Sequence, residues 1–382
     1  MSPQLPARSG VCQKPWCRIT SEYPVSAVGA RNLVVITPGP LETGTGGYIY
    51  DRHLVEGLRD LGWRVDHVAV GESFPEPTDQ DMEYAHEVLT TLGPNQPVII
   101  DGLALGAIDS ATVAQMRAPL IALVHHPLAY EGGLEAGHRE KLYATEKANL
   151  SRAQGVIVPS NHTKQLVVSE YGIPDSRVHI VTPGVTRPAG QRNPSSPPLI
   201  VSVGIITPRK GHDVLLRALH QIESLSWEAV LVGSVRDEDY YRELLDLREQ
   251  LGLGSRVEFA GEVSHDEREA LYRRASVFAL ATRFEGYGMV FDEAMAHGLP
   301  IVSCDTGAVG DTVAPGAGVL VPVDDPEAFA DALSEVLTNP STREAMSQAG
   351  VQAAQSLRGW DAVAASVAQI IASIPGENGG DE

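Results

Sequence analysis

Short apolar runs alternate with longer amphipathic stretches through the first half of the chain. The apolar runs predict buried strands at 33–37, 65–70, 97–100, 119–124, 155–159 and 178–181. The stretches between them, such as 48–61 and 134–152, have the spacing of helices. Strands that are apolar on both faces and alternate with helices are typical of a doubly wound parallel sheet.

The same alternation starts again after a segment rich in Pro, Ser, Gly and Asn at 187–198, which predicts a linker. Second-half strands are predicted at 199–203, 228–232, 257–260, 277–280 and 300–303. Helices are predicted at 211–222, 237–251, 264–271 and about 360–374. Ser264 and Glu267 fit a capping box, and Asp325-Pro326 and Asn339-Pro340 fit helix starts. We therefore predict two α/β domains of similar build.

The charge of the chain argues against some classes of partner. With 29 Lys and Arg against 49 Asp and Glu, the net charge is −20. Such a field repels nucleic acid and anionic membrane surfaces on average. No run of ~18 apolar residues and no signal peptide is visible, so we expect a soluble, cytoplasmic protein. Cys12, Cys17 and Cys304 are expected to be reduced thiols, because no matching zinc ligands follow them.

Ligands bind to such sheets at the carboxyl ends of the strands, so loops just after strands are the places to search. A glycine-rich loop at 43–47 follows the first strand and opens a helix. A dinucleotide fingerprint is not met, because Ile49 occupies its last glycine position. A plain tight turn remains the alternative for this loop.

Two cations follow the first strand of the second half. Arg209 and Lys210 stand beside a predicted helix start, a placement that suits a diphosphate. The alternative is a solvated surface pair.

The stretch 283–293 is the most specific in the chain. A turn with two glycines follows a strand, Glu285 is expected to project from the turn into a cleft, and Glu293 lies on the following helix. Carboxylates accept hydrogen bonds from vicinal sugar hydroxyls. The backbone amides of the helix start, at Gly288, Met289 and Val290, are expected to face phosphates. The alternative is an ordinary helix start with a favourable Glu in its first turn. That alternative explains one of the two glutamates but does not explain the turn with Gly286 and Gly288.

His125 ends a strand of the first half and is expected to face the same cleft from the other wall. A satisfied structural histidine is the alternative. Two other candidates fail. Asp324 and Asp325 look like a metal pair, but Pro326 marks a helix cap, and Ser160 lacks the glycines of a nucleophile elbow.

The spacing of Glu285 and Glu293, continued by residues 294–302, resembles the signature of retaining glycosyltransferases of family 4. The loop around Arg209 and Lys210 and the glycine loop before Tyr48 occupy corresponding positions, and the resemblance runs from about residue 33 to 374. It implies a GT-B fold of two Rossmann-like domains facing a cleft. The N-terminal acceptor domain would be 31–186 plus a crossover helix at 358–376, and the nucleotide-sugar domain 187–357. A flexible leader, 1–30, and tail, 377–382, would flank them.

The resemblance also implies roles. Glu293 would bind the ribose, Glu285 the sugar hydroxyls, and Arg209 and Lys210 the leaving diphosphate, with His125 near the donor hexose. Gly46, Gly47, Gly288, Met289 and Val290 would line the donor site. Members of this family need no metal and no cofactor, since the nucleoside-diphosphate sugar is a co-substrate. Many carry Gly-Arg where this chain has Gly204-Ile205. That leaves open whether Arg209 compensates or Lys210 carries more of the phosphate binding.

The expected activity is transfer of a hexose from a UDP- or GDP-linked donor to a soluble small-molecule or saccharide acceptor, with retention. The rivals are a sugar-nucleotide epimerase, a phosphorylase, or a binding protein with a decayed site. A nicotinamide dehydrogenase is the least favoured. The sequence leaves the sugar, the base, the acceptor and the oligomeric state open.

Overall fold

The computed structural model describes residues 31–131 and 134–374. The leader at 1–30, with Cys12 and Cys17, and the tail at 377–382 lie outside these ranges. None of the described helices is long and apolar enough to cross a membrane.

The first half forms a parallel sheet of six strands, as the apolar runs predict, in the order β2-β1-β3-β4-β5-β6. Its strands are β1 (Asn32–Thr37), β2 (Arg64–Ala69), β3 (Val98–Asp101), β4 (Leu120–Leu123), β5 (Gly155–Val158) and β6 (Val178–Ile180). Its helices are α1 (Gly46–Asp60), α2 (Asp79–Thr91), α3 (Gly102–Leu105), α4 (Ser110–Ala114), α5 (Ala136–Leu150) and α6 (Asn161–Ser169).

The second half forms another parallel sheet of six strands, in the order β12-β11-β10-β7-β8-β9. Its strands are β7 (Leu199–Val203), β8 (Glu228–Val232), β9 (Val257–Gly261), β10 (Val277–Leu280), β11 (Ile301–Cys304) and β12 (Gly318–Val321). Its helices are α7 (His212–Gln221), α8 (Glu238–Gln250), α9 (His265–Arg274), α10 (Met289–Ala296), α11 (Val309–Thr312), α12 (Pro326–Thr338) and α13 (Pro340–Ala354). Strand β12 was not predicted from the sequence.

Both faces of each sheet are covered, which explains why the strands are almost continuously apolar. In β1, Val34 and Ile36 point into one core, and Leu33 and Val35 point into another on the opposite face. The same alternation holds in β7, where Ile200 and Val201 belong to different cores.

The predicted helix starts are confirmed. The side chain of Ser264 accepts from the backbone of Glu267 in a full capping box. Asp325 and Asn339 likewise accept from backbone amides at the starts of α12 and α13, each followed by a proline. Such caps satisfy amide groups that the first turn of a helix leaves without partners.

The last helix, α14 (Trp360–Ser373), packs on the first half of the chain although it follows the second. Its residues Val363 and Val367 share a core with Leu54 of α1. A Cβ atom on Gly57 of α1 would lie 2.6 Å from the Cβ of Ala364, so only glycine permits this close approach.

Strand order reverses at one place in each sheet, between β1 and β3 and between β7 and β10. Loops that leave such a switch point in opposite directions open a crevice at the carboxyl edge, where ligands of open α/β sheets bind. The glycine loop and Asp101 flank the first switch point. Arg209, Lys210 and the turn at Glu285 flank the second.

Candidate functional site

Lys210 and Glu285 meet at the switch point of the second sheet. The ammonium of Lys210 lies 2.5 Å from Oε1 of Glu285, which also accepts a hydrogen bond from Thr282 Oγ1 at 2.9 Å. Lys210 and Arg209 hold the pKa of Glu285 below its usual range, although burial acts in the opposite direction. Burial lowers the pKa of Lys210, and the Glu285 carboxylate opposes that shift. The sequence placed Glu285 projecting into the cleft, whereas it is 5% exposed and bound to Lys210.

Arg209 lies beside this pair and reaches across to the first half of the chain. Its Nε donates to Oε1 of Glu131 at 3.0 Å, and one terminal nitrogen donates to the carbonyl of Phe284 at 3.0 Å. The same terminal nitrogen is 3.8 Å from Glu285. Burial would lower the pKa of Arg209, but Glu285 and Glu131 outweigh it and raise the pKa. The guanidinium is therefore a buried cation held by two carboxylates.

The backbone of the glycine turn docks on the first domain. The carbonyl of Gly286 accepts from Ser160 Oγ at 2.7 Å and from Thr163 Oγ1 at 3.0 Å. A Cβ atom on Gly286 would lie 2.3 Å from the carbonyl oxygen of His125. The turn therefore needs glycine in order to touch the opposite domain this closely.

Gly288 follows in the left-handed region at φ 88°, and α10 begins at Met289. The first amide groups of a helix have no partner within the helix and favour an anion. Met289 and Val290 thus stand in the first turn of α10, as the sequence predicts.

His125 lies between two buried carboxylates on the first domain. Its Nε2 is 3.1 Å from Oδ1 of Asp51 and 3.3 Å from Oδ2 of Asp101. Burial alone would lower the pKa of His125, but the two carboxylates outweigh it and raise the pKa to about 10. Burial raises the pKa of Asp51, and His125 opposes that shift. The imidazolium form of His125 is therefore favoured at neutral pH.

The glycine loop closes over His125 and reaches the second domain. A Cβ atom on Gly47 would lie 3.0 Å from the ring of His125. One on Gly46 would lie 3.9 Å from the sulfur of Met289, across the cleft. Gly46, Gly47, His125 and Met289 therefore lie together, which the sequence implied only through the resemblance.

Glu293 is held on α10 by neighbours from α9. Tyr272 donates its hydroxyl hydrogen to Oε2 at 2.8 Å, and a terminal nitrogen of Arg268 lies 3.5 Å from Oε1. Its side chain is 21% exposed, so the carboxylate can also bind an incoming group. No contact joins Glu293 to Glu285 among the interactions of the described residues.

One group in the described part of the chain could hold a metal ion. Ligand atoms of Asp51, Asp101 and His125 lie within 4.8 Å of one another. However, a protonated Nε2 that donates to the carboxylates has no lone pair for a metal. In the structure Nε2 of His125 is within hydrogen-bond distance of both carboxylates, which fits that hydrogen-bonded arrangement.

Sequence reasoning missed Asp51, Asp101 and Glu131. The position of Asp101 is predictable, because it ends β3 at the carboxyl edge of the sheet, where ligands bind. Asp51 lies in the middle of α1 and is 1% exposed, and in a helical pattern an acid there resembles a surface residue. Glu131 follows the 3-10 turn Leu128–Tyr130 and belongs to no motif.

Two parallel sheets whose switch points face each other define the GT-B class of fold, and solved structures agree. Sucrose-phosphate synthase from Thermosynechococcus elongatus superposes with a TM-score of 0.76 at 22% identity, covering 90% of this chain and 98% of that one. HepE of Anabaena in complex with UDP and glucose superposes with a TM-score of 0.71 at 16% identity, covering 90% and 100%.

Comparisons of sequence identify the family. The family model described as glycosyl transferases group 1 matches residues 187–353, and the one described as glycosyltransferase family 4 matches residues 95–187. The chain belongs to these family-4 glycosyltransferases, as the motif around Glu285 and Glu293 predicts.

Two relatives show how far the similarity extends. D-inositol 3-phosphate glycosyltransferase of Xylanimonas cellulosilytica is 30% identical over 245 residues, which are 59% of this chain and 58% of that protein. The chain thus matches less than two thirds of that relative's length. An uncharacterized glycosyltransferase of Methanocaldococcus jannaschii is 26% identical over 390 residues, 91% of this chain and 95% of that protein.

Proposed function

We propose that the chain is a retaining, metal-independent hexosyltransferase. It moves a hexose from a UDP- or GDP-linked donor to a soluble small-molecule or saccharide acceptor. The observation that carries the proposal is the pair of buried cations, Arg209 and Lys210, held against Glu285 at a sheet switch point. Two cations at this edge suit the two negative phosphates of a nucleoside diphosphate.

Named relatives support the donor class. A relative from Mycobacterium tuberculosis, 30% identical over 232 residues, is called a GDP-mannose-dependent mannosyltransferase. A structural neighbour, HepE, has been solved in complex with UDP-glucose, with a TM-score of 0.69 at 17% identity. The proposal therefore keeps both UDP- and GDP-linked hexoses as donors.

The residues take the following parts in the proposed reaction. Glu293 binds the ribose hydroxyls, Glu285 binds the hexose hydroxyls, and the amides at Met289 and Val290 bind phosphate. His125, as an imidazolium, lies next to the glycine loop and stabilises negative charge near the hexose. Gly46, Gly47 and Gly288 leave room for the donor along this path.

The chemistry is a front-face displacement. The bond between the anomeric carbon and the diphosphate oxygen breaks, and the acceptor oxygen forms its bond on the same face. The acceptor's proton goes to the departing diphosphate. Arg209 and Lys210 stabilise the charge that develops on that group, which is the kind of electrostatic assistance that contributes most to many enzymes.

The absence of a metal requirement and a cytoplasmic location are part of this proposal. The cation pair can take the place that a divalent ion would have on the diphosphate.

A thermal-shift screen of UDP-, GDP- and ADP-hexoses tests the donor class. A ligand that binds the folded state raises the melting temperature, so one nucleotide series should shift it by several degrees. The shift should persist in a chelator such as EDTA. A melting temperature that no sugar nucleotide changes would contradict the proposal, and a shift lost in EDTA would contradict metal independence.

A further inference from the structure

We propose that Glu131 competes with the donor's diphosphate for Arg209, and so sets the affinity for the donor. This inference rests on the proposed function, because it takes Arg209 as a phosphate-binding residue. It adds a residue of the N-terminal domain that neither the motif nor the expected donor contacts include.

Glu131 occupies the side of the guanidinium that a phosphate would use. A phosphate binds arginine best through two parallel hydrogen bonds from neighbouring nitrogens. Nε of Arg209 already donates to Glu131 at 3.0 Å, and one terminal nitrogen donates to the carbonyl of Phe284. Each edge of the guanidinium therefore has a nitrogen in use. A two-pronged contact along the Nε edge requires the carboxylate of Glu131 to leave.

The charges at the site are already balanced without a donor. Arg209 and Lys210 face the carboxylates of Glu131 and Glu285 at 3.8 Å or less. A diphosphate that enters therefore meets a site with little net positive charge. Removal of Glu131 would expose the charge of Arg209, whereas Glu285 is needed for the sugar hydroxyls.

Glu131 is held in this place by its own domain. Its other carboxylate oxygen lies 2.7 Å from Nε2 of His126. The 3-10 turn that precedes Glu131 is held in place by Glu146. The backbone amide of Leu128 donates to both carboxylate oxygens of this buried residue, at 3.1 and 3.2 Å. The backbone that carries Glu131 is therefore supported by its own domain, while the carboxylate itself can turn away from Arg209.

Space is available for Glu131 when a diphosphate displaces it. A cavity of about 720 Å³ adjoins the contact and is lined by Glu131, Arg209 and Arg139, among others. Arg139 is exposed and offers a second cation to the displaced carboxylate. The side chain of Glu131 is 34% exposed, against 10% for Arg209, so it is the partner that can move.

The test is isothermal titration calorimetry with UDP and with GDP on the full chain. E131Q keeps the size of the side chain and removes its charge. We expect it to bind the nucleoside diphosphate about tenfold more tightly than the unaltered protein, the size expected for removal of one nearby charge in a partly solvated site. This increase in affinity should be smaller at high salt, because salt screens the charge of Glu131. The control is E140Q, which removes an exposed carboxylate that lines the same cavity, and its affinity should stay unchanged.

A second variant guards against misfolding of E131Q. E131D keeps the charge, but its side chain is one methylene shorter and does not reach Arg209 as well. Its increase in affinity for the nucleoside diphosphate should therefore be smaller than that of E131Q. Equal or weaker binding by E131Q would overturn this inference and leave the proposed function standing. Binding by E131Q but not by the unaltered protein would support it. If neither protein binds UDP or GDP, both proposals fail.

Discussion

The ammonium of Lys210 lies 2.5 Å from a carboxylate oxygen of Glu285, and both residues are more than nine-tenths buried. The contact joins the loop after β7 to the turn after β10, which are neighbouring strands of one sheet. Removal of only one partner of a buried ion pair strongly destabilises the folded protein, because the other charge stays buried without compensation. The pair is therefore both a support of the site and, in our proposal, the place where charge on the leaving group is stabilised.

We predict that Lys210→Ala slows hexose transfer about a hundredfold or more, because a well-placed donor to developing charge contributes ~3–4 kcal/mol. Single-turnover kinetics with a bound donor would measure the loss. Lys164→Ala is the control, since Lys164 pairs with the exposed Asp175 on the surface. K210M/E285Q removes both charges and should melt near the unaltered protein, which separates folding from activity. Near-normal turnover by Lys210→Ala would refute the role of this cation.

Glu293→Ala should weaken binding of UDP or GDP by about tenfold or more, because hydrogen bonds to charged groups contribute ~1.5–3 kcal/mol. Calorimetry would measure the change. Tyr272→Phe removes one hydrogen bond that orients Glu293 but leaves the carboxylate in place. This variant should therefore lose less affinity for UDP or GDP than Glu293→Ala. Unchanged affinity in Glu293→Ala would count against a ribose contact.

Gly286→Ala should lower transfer by about a hundredfold, because displacement of a catalytic group by ~1 Å can have that effect. The new methyl group would collide with the carbonyl of His125, a backbone atom that cannot move aside alone. Gly93→Ala is the matched control, because a Cβ there meets nothing within 4 Å. Steady-state rates and melting curves of both variants would be compared. Equal activity of the two would show that close docking of the turn is dispensable.

His125 should remain protonated at pH 8, since its pKa is raised to about 10. NMR titration of the ring signals would show this, with His53 as internal control, because burial lowers the pKa of His53. Asp51→Asn should lower the pKa of His125 by removing one carboxylate. If His125 of the unaltered protein titrates near pH 6.5, the two carboxylates of Asp51 and Asp101 do not stabilise its charged form, and the prediction is wrong.

The same shift predicts a pH dependence of stability. The folded-state pKa of His125 lies above its unfolded value of about 6.5. Its contribution to the free energy of unfolding is therefore complete below pH 6.5 and is lost as the pH rises through about 10. Urea unfolding at pH 6.5 and pH 9.5 would measure the loss. Asp51→Asn should reduce this difference, and a difference of equal size in both proteins would exclude His125 as its source.

The sequence predicts the parts of the site that lie at strand ends. Arg209, Lys210 and the glycine turn could be found because buried parallel strands have a plain pattern and their loops meet at one edge. Strand β12 is not predicted because it begins with glycine and only its last residue is fully buried.

The residues that contact the candidate site residues and hold them in place could not be predicted from the sequence. Asp51 lies 74 positions from His125 in the chain, and no local pattern connects a helix interior to a distant strand end. The contact between Glu131 and Arg209 spans 78 positions and depends on how the two domains meet. From the sequence, Ser160 is only a serine without the glycines of a nucleophile elbow. In the structure it caps α6 and binds the glycine turn.

Retaining hexose transfer can be observed by proton NMR of the purified protein with a UDP- or GDP-hexose and a panel of soluble sugars and sugar phosphates. We expect release of the nucleoside diphosphate and a new glycoside with the anomeric configuration of the donor, in the presence of EDTA. Lys210→Ala should give almost none. Product with inverted configuration, or no transfer from any sugar nucleotide that binds, would contradict a retaining hexosyltransferase.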